Sequence, residues 1–139
     1  MQSPSFDIKE MLEEWIDSSG ESTGTDVFDC PIHVGKEPST PKNVITIFDT
    51  QGFPPYLSLS GESGYEYPSI NIRVRNTKYD TGWNLINKIK DVLHGRHQET
   101  WNGTLYSAII CSSSPALLDW DDNGNARFII NFNLQRRTA

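Results

Sequence analysis

Apolar residues recur in the first stretch of the chain at helical spacing. Ile8, Met11, Leu12, Trp15 and Ile16 follow i, i+3, i+4, i+7, i+8, one face of an amphipathic helix. The pattern predicts a helix from about Ser5 to Asp17, with Ser5 as N-cap, acids in the first turns and Ser18-Ser19-Gly20 as its end. A polar linker, Glu21 to Thr25, leads to Val27-Phe28 and then to Ile32-His33-Val34-Gly35, short enough for an edge strand before Pro38 and Pro41 break the chain. Asn43 to Phe48 reads as a strand through its β-branched Val44, Ile45 and Ile47.

From Ser69 to Arg75 the alternation is strict. Ile70, Ile72 and Val74 point to a buried face, and Asn71, Arg73 and Arg75 to a wet one. Thr77 and Asp80 have the spacing of a helix start, and Tyr79, Trp83, Leu85, Ile86, Ile89, Val92 and Leu93 carry a broad apolar stripe to His94, where Gly95 supplies the stop. Trp101-Asn102-Gly103-Thr104 signals a tight turn and Leu105 to Cys111 a strand. In the last strand Phe128, Ile130, Phe132 and Leu134 alternate with Ile129, Asn131, Asn133 and Gln135, ending at Arg136-Arg137. The order α-β-β-β-α-β-β defines an α+β fold, a mixed or mainly antiparallel sheet of about four to five strands packed with two helices.

Between Asp49 and Pro68 helical periodicity is absent, while Phe53, Tyr56, Leu57, Leu59, Tyr65 and Tyr67 are interleaved with Gly52, Gly61, Gly64, Pro54 and Pro55. Loops longer than about 12 to 15 residues are commonly functional, and aromatics serve cores and partner contacts alike. Leu57-Ser58-Leu59-Ser60 can itself extend as a strand. At 139 residues the chain makes a single domain, 1–139, with one core and this long loop at 49–68.

Composition narrows the function more than it adds to the fold. Hydrophobic residues at 36% and charged residues at 22% suit a folded domain. No apolar run approaches the roughly 18 residues of a membrane span, and the early Asp7, Glu10, Glu13 and Glu14 do not fit a signal peptide. These features predict a protein that stays in the cytoplasm where it is made, with no membrane partner. Residues 1–30 carry eight acids against the single Lys9, and the rest of the chain is nearly neutral. Arg73, Arg75, Lys78, Lys88, Lys90 and Arg96 supply a mildly basic middle, so like copies can attract head to tail. No dense Lys/Arg stripe marks sequence-specific nucleic-acid binding.

The candidate chemistry is sparse. Asp119-Trp120-Asp121-Asp122-Asn123-Gly124 imitates the opening of a calcium loop, but the closing bidentate glutamate falls at Ile130, and the segment reads as an acidic turn. Cys30 and Cys111 read as reduced thiols, and His33, His94 and His97 form no spaced ligand set. Asn102-Gly103-Thr104 has the form of a glycosylation sequon and reads as a hairpin turn. No phosphate loop, nucleophile elbow or dinucleotide fingerprint occurs. The expectation is no catalytic residue, metal or cofactor; a small metal-dependent hydrolase built on Asp119, Asp121 and His94 is the competing reading from another class.

Several stretches taken in order resemble the tail terminator and minor capsid proteins of tailed bacteriophages. They are Pro38-Ser39-Thr40-Pro41-Lys42-Asn43-Val44-Ile45-Thr46-Ile47-Phe48-Asp49-Thr50-Gln51-Gly52, Tyr67-Pro68-Ser69-Ile70-Asn71-Ile72-Arg73-Val74-Arg75, Ile89-Lys90-Asp91-Val92-Leu93-His94-Gly95, Trp101-Asn102-Gly103-Thr104 and the closing run from Asp122 to Leu134. The resemblance spans roughly residues 7–137 and rests on ordinary structural residues. It implies a virion structural protein, a hexameric ring at the head-proximal end of the tail, assembled in the host cytoplasm. Such a ring caps the tail tube, stops its polymerisation and meets a head-tail connector or neck protein. Its partners are copies of itself, the tail tube protein and that connector. A ring needs two different complementary patches on each subunit. Glu10, Glu13 and Glu14 against Arg73, Arg75 and Lys78 are the subunit-interface candidates; Phe53, Tyr56, Tyr65, Tyr67, Arg136 and Arg137 are the candidates for tube or connector contact. A neck or head-completion adaptor of similar topology is the nearer alternative.

Overall fold

The computed structural model describes residues 1–19, 31–55 and 64–139. Tyr56, Cys30 and Leu57 to Ser60, the stretch whose sequence can extend as a strand, lie outside these residues. Helix α1 spans Pro4–Ser19 and helix α2 Tyr79–Leu93; the strands are β1 (Ile32–Val34), β2 (Val44–Phe53), β3 (Tyr67–Asn76), β4 (Glu99–Trp101), β5 (Thr104–Cys111), β6 (Ala116–Trp120) and β7 (Ala126–Thr138). The α+β class holds, but the sheet has seven strands instead of four or five. The two additions are β4 and β6. The long loop is also shorter than the sequence suggests, because β2 runs on to Phe53 and β3 begins at Tyr67.

β7 is the spine of the sheet, whose order is β1-β2-β3-β7-β5-β4 with β6 also paired to β7. β3 lies along one edge of β7 through Ser69↔Asn133 to Asn76↔Ala126. β5 and β6 follow one another along β7 as well, from Thr104↔Thr138 to Cys111↔Phe132 and from Ala116↔Ile129 to Trp120↔Ala126. Only β1 and β2 pair in parallel; the other pairings are antiparallel. The β4–β5 hairpin turns through Asn102 and Gly103, at φ 51 and 75, the two positive values that an Asn-Gly type I′ turn requires.

Register collects the apolar residues on one face. Ile70↔Phe132, Ile72↔Ile130 and Val74↔Phe128 align β3 with β7, and Ile47↔Ile72 and Ile45↔Val74 align β2 with β3. Against this face pack Ile8, Met11 and Leu12 of α1 and Leu85, Ile86, Ile89 and Leu93 of α2, all fully buried. A buried isoleucine or leucine contributes about 1.5–3 kcal/mol, and this shared apolar layer holds the helices to the sheet.

Both helix starts differ from the sequence expectation. α1 begins at Pro4, a residue whose missing N–H costs nothing there. Ser5 lies inside the first turn, and its N and Oγ donate to Asp49 Oδ1 of β2 at 3.1 and 2.8 Å. A strand carboxylate thus caps the helix, replacing the expected serine. At α2 the N-cap position is Lys78, without a side-chain capping bond, and the Thr77 N–H donates to Asn43 Oδ1 at 3.0 Å. The predicted stop is as expected: Gly95 has φ 89 and its N–H donates to Ile109 O at 2.8 Å, tying the helix end to β5.

The other face of β3 is not wet throughout. Asn71 and Arg75 are buried there, because a polar ladder and a loop cover it. Ser69 Oγ and Asn71 Nδ2 each donate to an asparagine of β7, Asn133 Oδ1 and Asn131 Oδ1, at 2.7 Å. Such cross-strand pairs satisfy polar groups that burial would otherwise leave costly.

Candidate functional site

The exposed stripe of α1 is acidic with an aromatic start. Phe6, Glu10, Glu13 and Glu14 are exposed at i, i+4, i+7 and i+8, opposite the buried Ile8, Met11 and Leu12. Glu10 accepts a 2.6 Å bond from Asn102 Nδ2, while Glu13 and Glu14 stand in solvent. The three acids nominated from the sequence therefore share one accessible surface.

The three basic nominees are not brought together in one role. Lys78 is exposed at the start of α2. Arg73 is half-buried, with its guanidinium 5.0 Å above the Phe48 ring and its Nε donating to Asn71 Oδ1. Arg75 is buried and committed inside the chain. Its Nη1 donates to Glu37 Oε1 at 2.9 Å, its Nε to Lys42 O, and its Nη2 to Pro38 O and Pro41 O. One guanidinium thereby holds the 37–42 loop across the outer face of the sheet, and little of it is left for another subunit. Glu37 also accepts from Arg127 at 3.3 Å, and Arg127 makes a bidentate pair with Asp119 at 2.5 Å. That pair holds the Asp119 carboxyl below its usual range, chiefly through the Arg127 hydrogen bonds.

At the opposite end of the strands lie the nominees for tube or connector contact. Phe53 is 65% exposed; Tyr65 and Tyr67 are half-buried, and the Arg137 guanidinium lies 5.8 Å from the Tyr65 ring. Gly52 permits this packing, since a Cβ there would sit 2.0 Å from Tyr67 O. Arg136, in contrast, is buried. It donates to Glu66 Oε2, Gln2 O and the Tyr106 hydroxyl at 3.2, 3.0 and 3.4 Å, and its backbone pairs both ways with Glu66. Its role is to anchor the base of the loop.

Arg136 continues into a buried network that the sequence does not announce. Tyr106 donates a short hydrogen bond to the Asp7 carboxylate, which also accepts from Gln2 Nε2 and Asn102 Nδ2 at 2.6 and 2.8 Å. Burial first, and then the Asp7 hydrogen bond, push the Tyr106 phenol far above its usual range, so it remains a donor. Asp7, expected as a surface acid near a helix start, is fully buried.

The residues of the competing hydrolase reading are dispersed. Asp121 accepts from the N–H groups of Asn123 and Asn125 and from Asn125 Nδ2, which shapes the β6–β7 turn and holds its carboxyl low. His94 Nδ1 accepts from the Cys111 N–H, beside Phe132, whereas Asp119 lies opposite Arg127 further along β7. Among the described residues no group of three His, Cys, Asp or Glu is placed to hold a metal ion. No helix among them is long and apolar enough to cross a membrane.

One accessible surface was not read from the sequence. Tyr79, Trp83, Leu117 and Trp120 surround Phe128, where α2 begins and β6 ends; the Tyr79 ring stacks on Trp120 at 6.1 Å and meets Phe128 edge-on at 5.1 Å, and Trp83 lies 6.0 Å from Phe128. Gly82 lets α2 approach this closely, since a Cβ there would fall 2.6 Å from the Phe128 ring. Trp120, Tyr79, Leu117 and Trp83 remain 53, 45, 40 and 39% exposed.

Accessible charge and aromatic surface thus surround a frame held by the buried Asp7, Arg75 and Arg136. The sequence profile of the bacteriophage tail terminator protein family matches residues 17–138, and the chain belongs to that family. It is therefore a phage structural protein, a component of the virion. Its fold is similar to that of a chain in the virion of a native gene transfer agent particle, with a TM-score of 0.60 at 9% identity over 97% of this chain and 95% of that one. Comparison with curated proteins finds no match.

Proposed function

We propose that the chain forms a hexameric ring that caps the finished tail tube, stops its polymerisation and presents the opposite surface to the head-tail connector or neck protein. The observation that carries this reading is the family match over residues 17–138. The ring sits at the head-proximal end of the tail and is assembled in the host cytoplasm. Within it, the acidic stripe Glu10, Glu13 and Glu14 faces the basic side of the next subunit, where Lys78 is the exposed cation of the three basic candidates. Phe53, Tyr56, Tyr65, Tyr67 and Arg137 face tube or connector, and the Arg136 anchor fixes Glu66 between Tyr65 and Tyr67.

Reversing the three acids together to lysine should impair ring closure, because like charges would then meet across each contact. Native mass spectrometry of the purified chain, alone and with tail tubes, checks this. The wild type is expected as closed hexamers and the triple variant as monomers with unchanged circular dichroism. Hexamers undiminished in the variant would sink the charge pairing, and wild-type chains that never close, even on tubes, would sink the ring.

A further inference from the structure

The surface around Phe128 is the largest gathering of exposed apolar side chains among the described residues. Tyr79, Trp83, Leu117 and Trp120 are four of the nine large hydrophobics that stand exposed among the described residues. Its three aromatics, each about half exposed, offer on the order of 300 Å² of apolar surface. That is enough for the centre of an interface burying about 800 Å² per partner, and Trp and Tyr are the residue types that most often anchor one. The site is rigid: Tyr79 and Trp120 stack, Gly82 draws α2 onto Phe128, and the Asp121 turn fixes the end of β6.

Charge on both sides selects the occupant. Lys78 directly precedes Tyr79, and Lys42 adjoins Asn43, whose side chain accepts from Thr77. Both lysines are exposed and form no ion pair among the described residues, while Asp80 and Asp122 share the same end. A partner with an exposed aromatic followed by acids on one helical stripe fits this surface. The chain itself carries that stripe as Phe6, Glu10, Glu13 and Glu14, and Phe6 is 48% exposed.

Building on the ring reading above, we propose that the shelf formed by Tyr79, Trp83 and Trp120 is the receiving half of the subunit contact and takes the exposed α1 stripe of a second copy, Phe6 against the aromatics and its acids toward Lys78 and Lys42. Shelf and stripe are different patches, so the contact is heterologous and each subunit uses both. Cutting either half stops assembly, and mixing the two kinds of variant restores a single contact.

The test uses full chains of Trp120→Asp and Phe6→Asp, with Tyr79→Asp as a second shelf variant that puts a carboxylate where the α2 dipole favours it. Folding is checked by circular dichroism and mass by native mass spectrometry. Each variant alone should remain monomeric, and an equimolar mixture of Trp120→Asp and Phe6→Asp should stop at heterodimers, joined by the one intact shelf and the one intact stripe. Folded shelf variants that still close rings would overturn the inference and leave the ring reading standing, as would variant rings that close yet no longer hold the tube. A folded mixture that gives no heterodimer would also overturn it. A wild type that forms no oligomer, even on tubes, would remove the ring reading and this inference together.

Discussion

Asp7→Ala should lower the unfolding free energy by about 3 kcal/mol or more, even though alanine is the better helix former at an α1 position. The Asp7 carboxylate is the shared acceptor of the Tyr106 hydroxyl, Gln2 Nε2 and Asn102 Nδ2, and Asp7 and Tyr106 are both fully buried. Removing it leaves the buried Tyr106 hydroxyl without its charged acceptor, a loss of about 1–3 kcal/mol, and takes one of two carboxylates away from the network of the buried Arg136, which keeps Glu66; Gln2 and Asn102 are exposed and turn to water. Urea unfolding followed by tryptophan fluorescence measures the effect. Asp7→Asn, which keeps an acceptor oxygen, should recover part of the loss. The coupling between Asp7 and Tyr106, obtained with Tyr106→Phe in a double-mutant cycle, should exceed about 1 kcal/mol. A loss below about 0.5 kcal/mol for the alanine variant would contradict the assigned role.

Arg75→Met should be comparably damaging, at about 3–5 kcal/mol, the range for breaking a buried ion pair on one side. The substitution preserves the stem and deletes the guanidinium. Glu37 is then left largely buried, with only its longer Arg127 contact, and the carbonyls of Pro38, Pro41 and Lys42 lose their donor. The 37–42 loop should loosen while the helix-side core is retained. Amide exchange should therefore rise first in residues 36–43 and along β1, the edge strand beside the loop. Equal protection in wild type and variant would contradict the pin. Arg73→Met, which removes a half-buried cation with no carboxylate among its hydrogen-bond partners in the described residues, should cost far less.

These two residues also mark where sequence reading stops. Alternation locates β3 and β7, and helical spacing locates α1 and α2, because each of these elements buries one regular face. β6 has the burial pattern of a strand exposed almost throughout, so it leaves no periodic trace, and β4 is three residues long. Arg75 and Arg136 fall at strand positions where a charge usually reaches solvent. They are buried because Glu37 and Glu66 arrive from 38 and 70 residues away, a distance no local pattern encodes. Asp7 likewise has the position of a dipole-stabilising acid but meets Tyr106 across 99 residues.

Surface recognition was legible to a similar extent. Glu10, Glu13 and Glu14 of α1 stand exposed as their spacing predicts. The stripe of α2, by contrast, is wider than the core it covers, so Tyr79 and Trp83 overhang the sheet edge and meet Trp120, a residue that reads as part of an acidic turn. Only the hairpin joining β6 to β7 brings them together. The family resemblance came from the order of the segments, and the profile match over residues 17–138 establishes it.

Capping of the tail tube is tested most directly by electron microscopy of particles assembled without this chain, with the wild-type chain restored as control. The proposed ring predicts overlong or ragged tails that fail to join heads, and normal tails on restoration. Tails of normal length in the absence of the chain would contradict it.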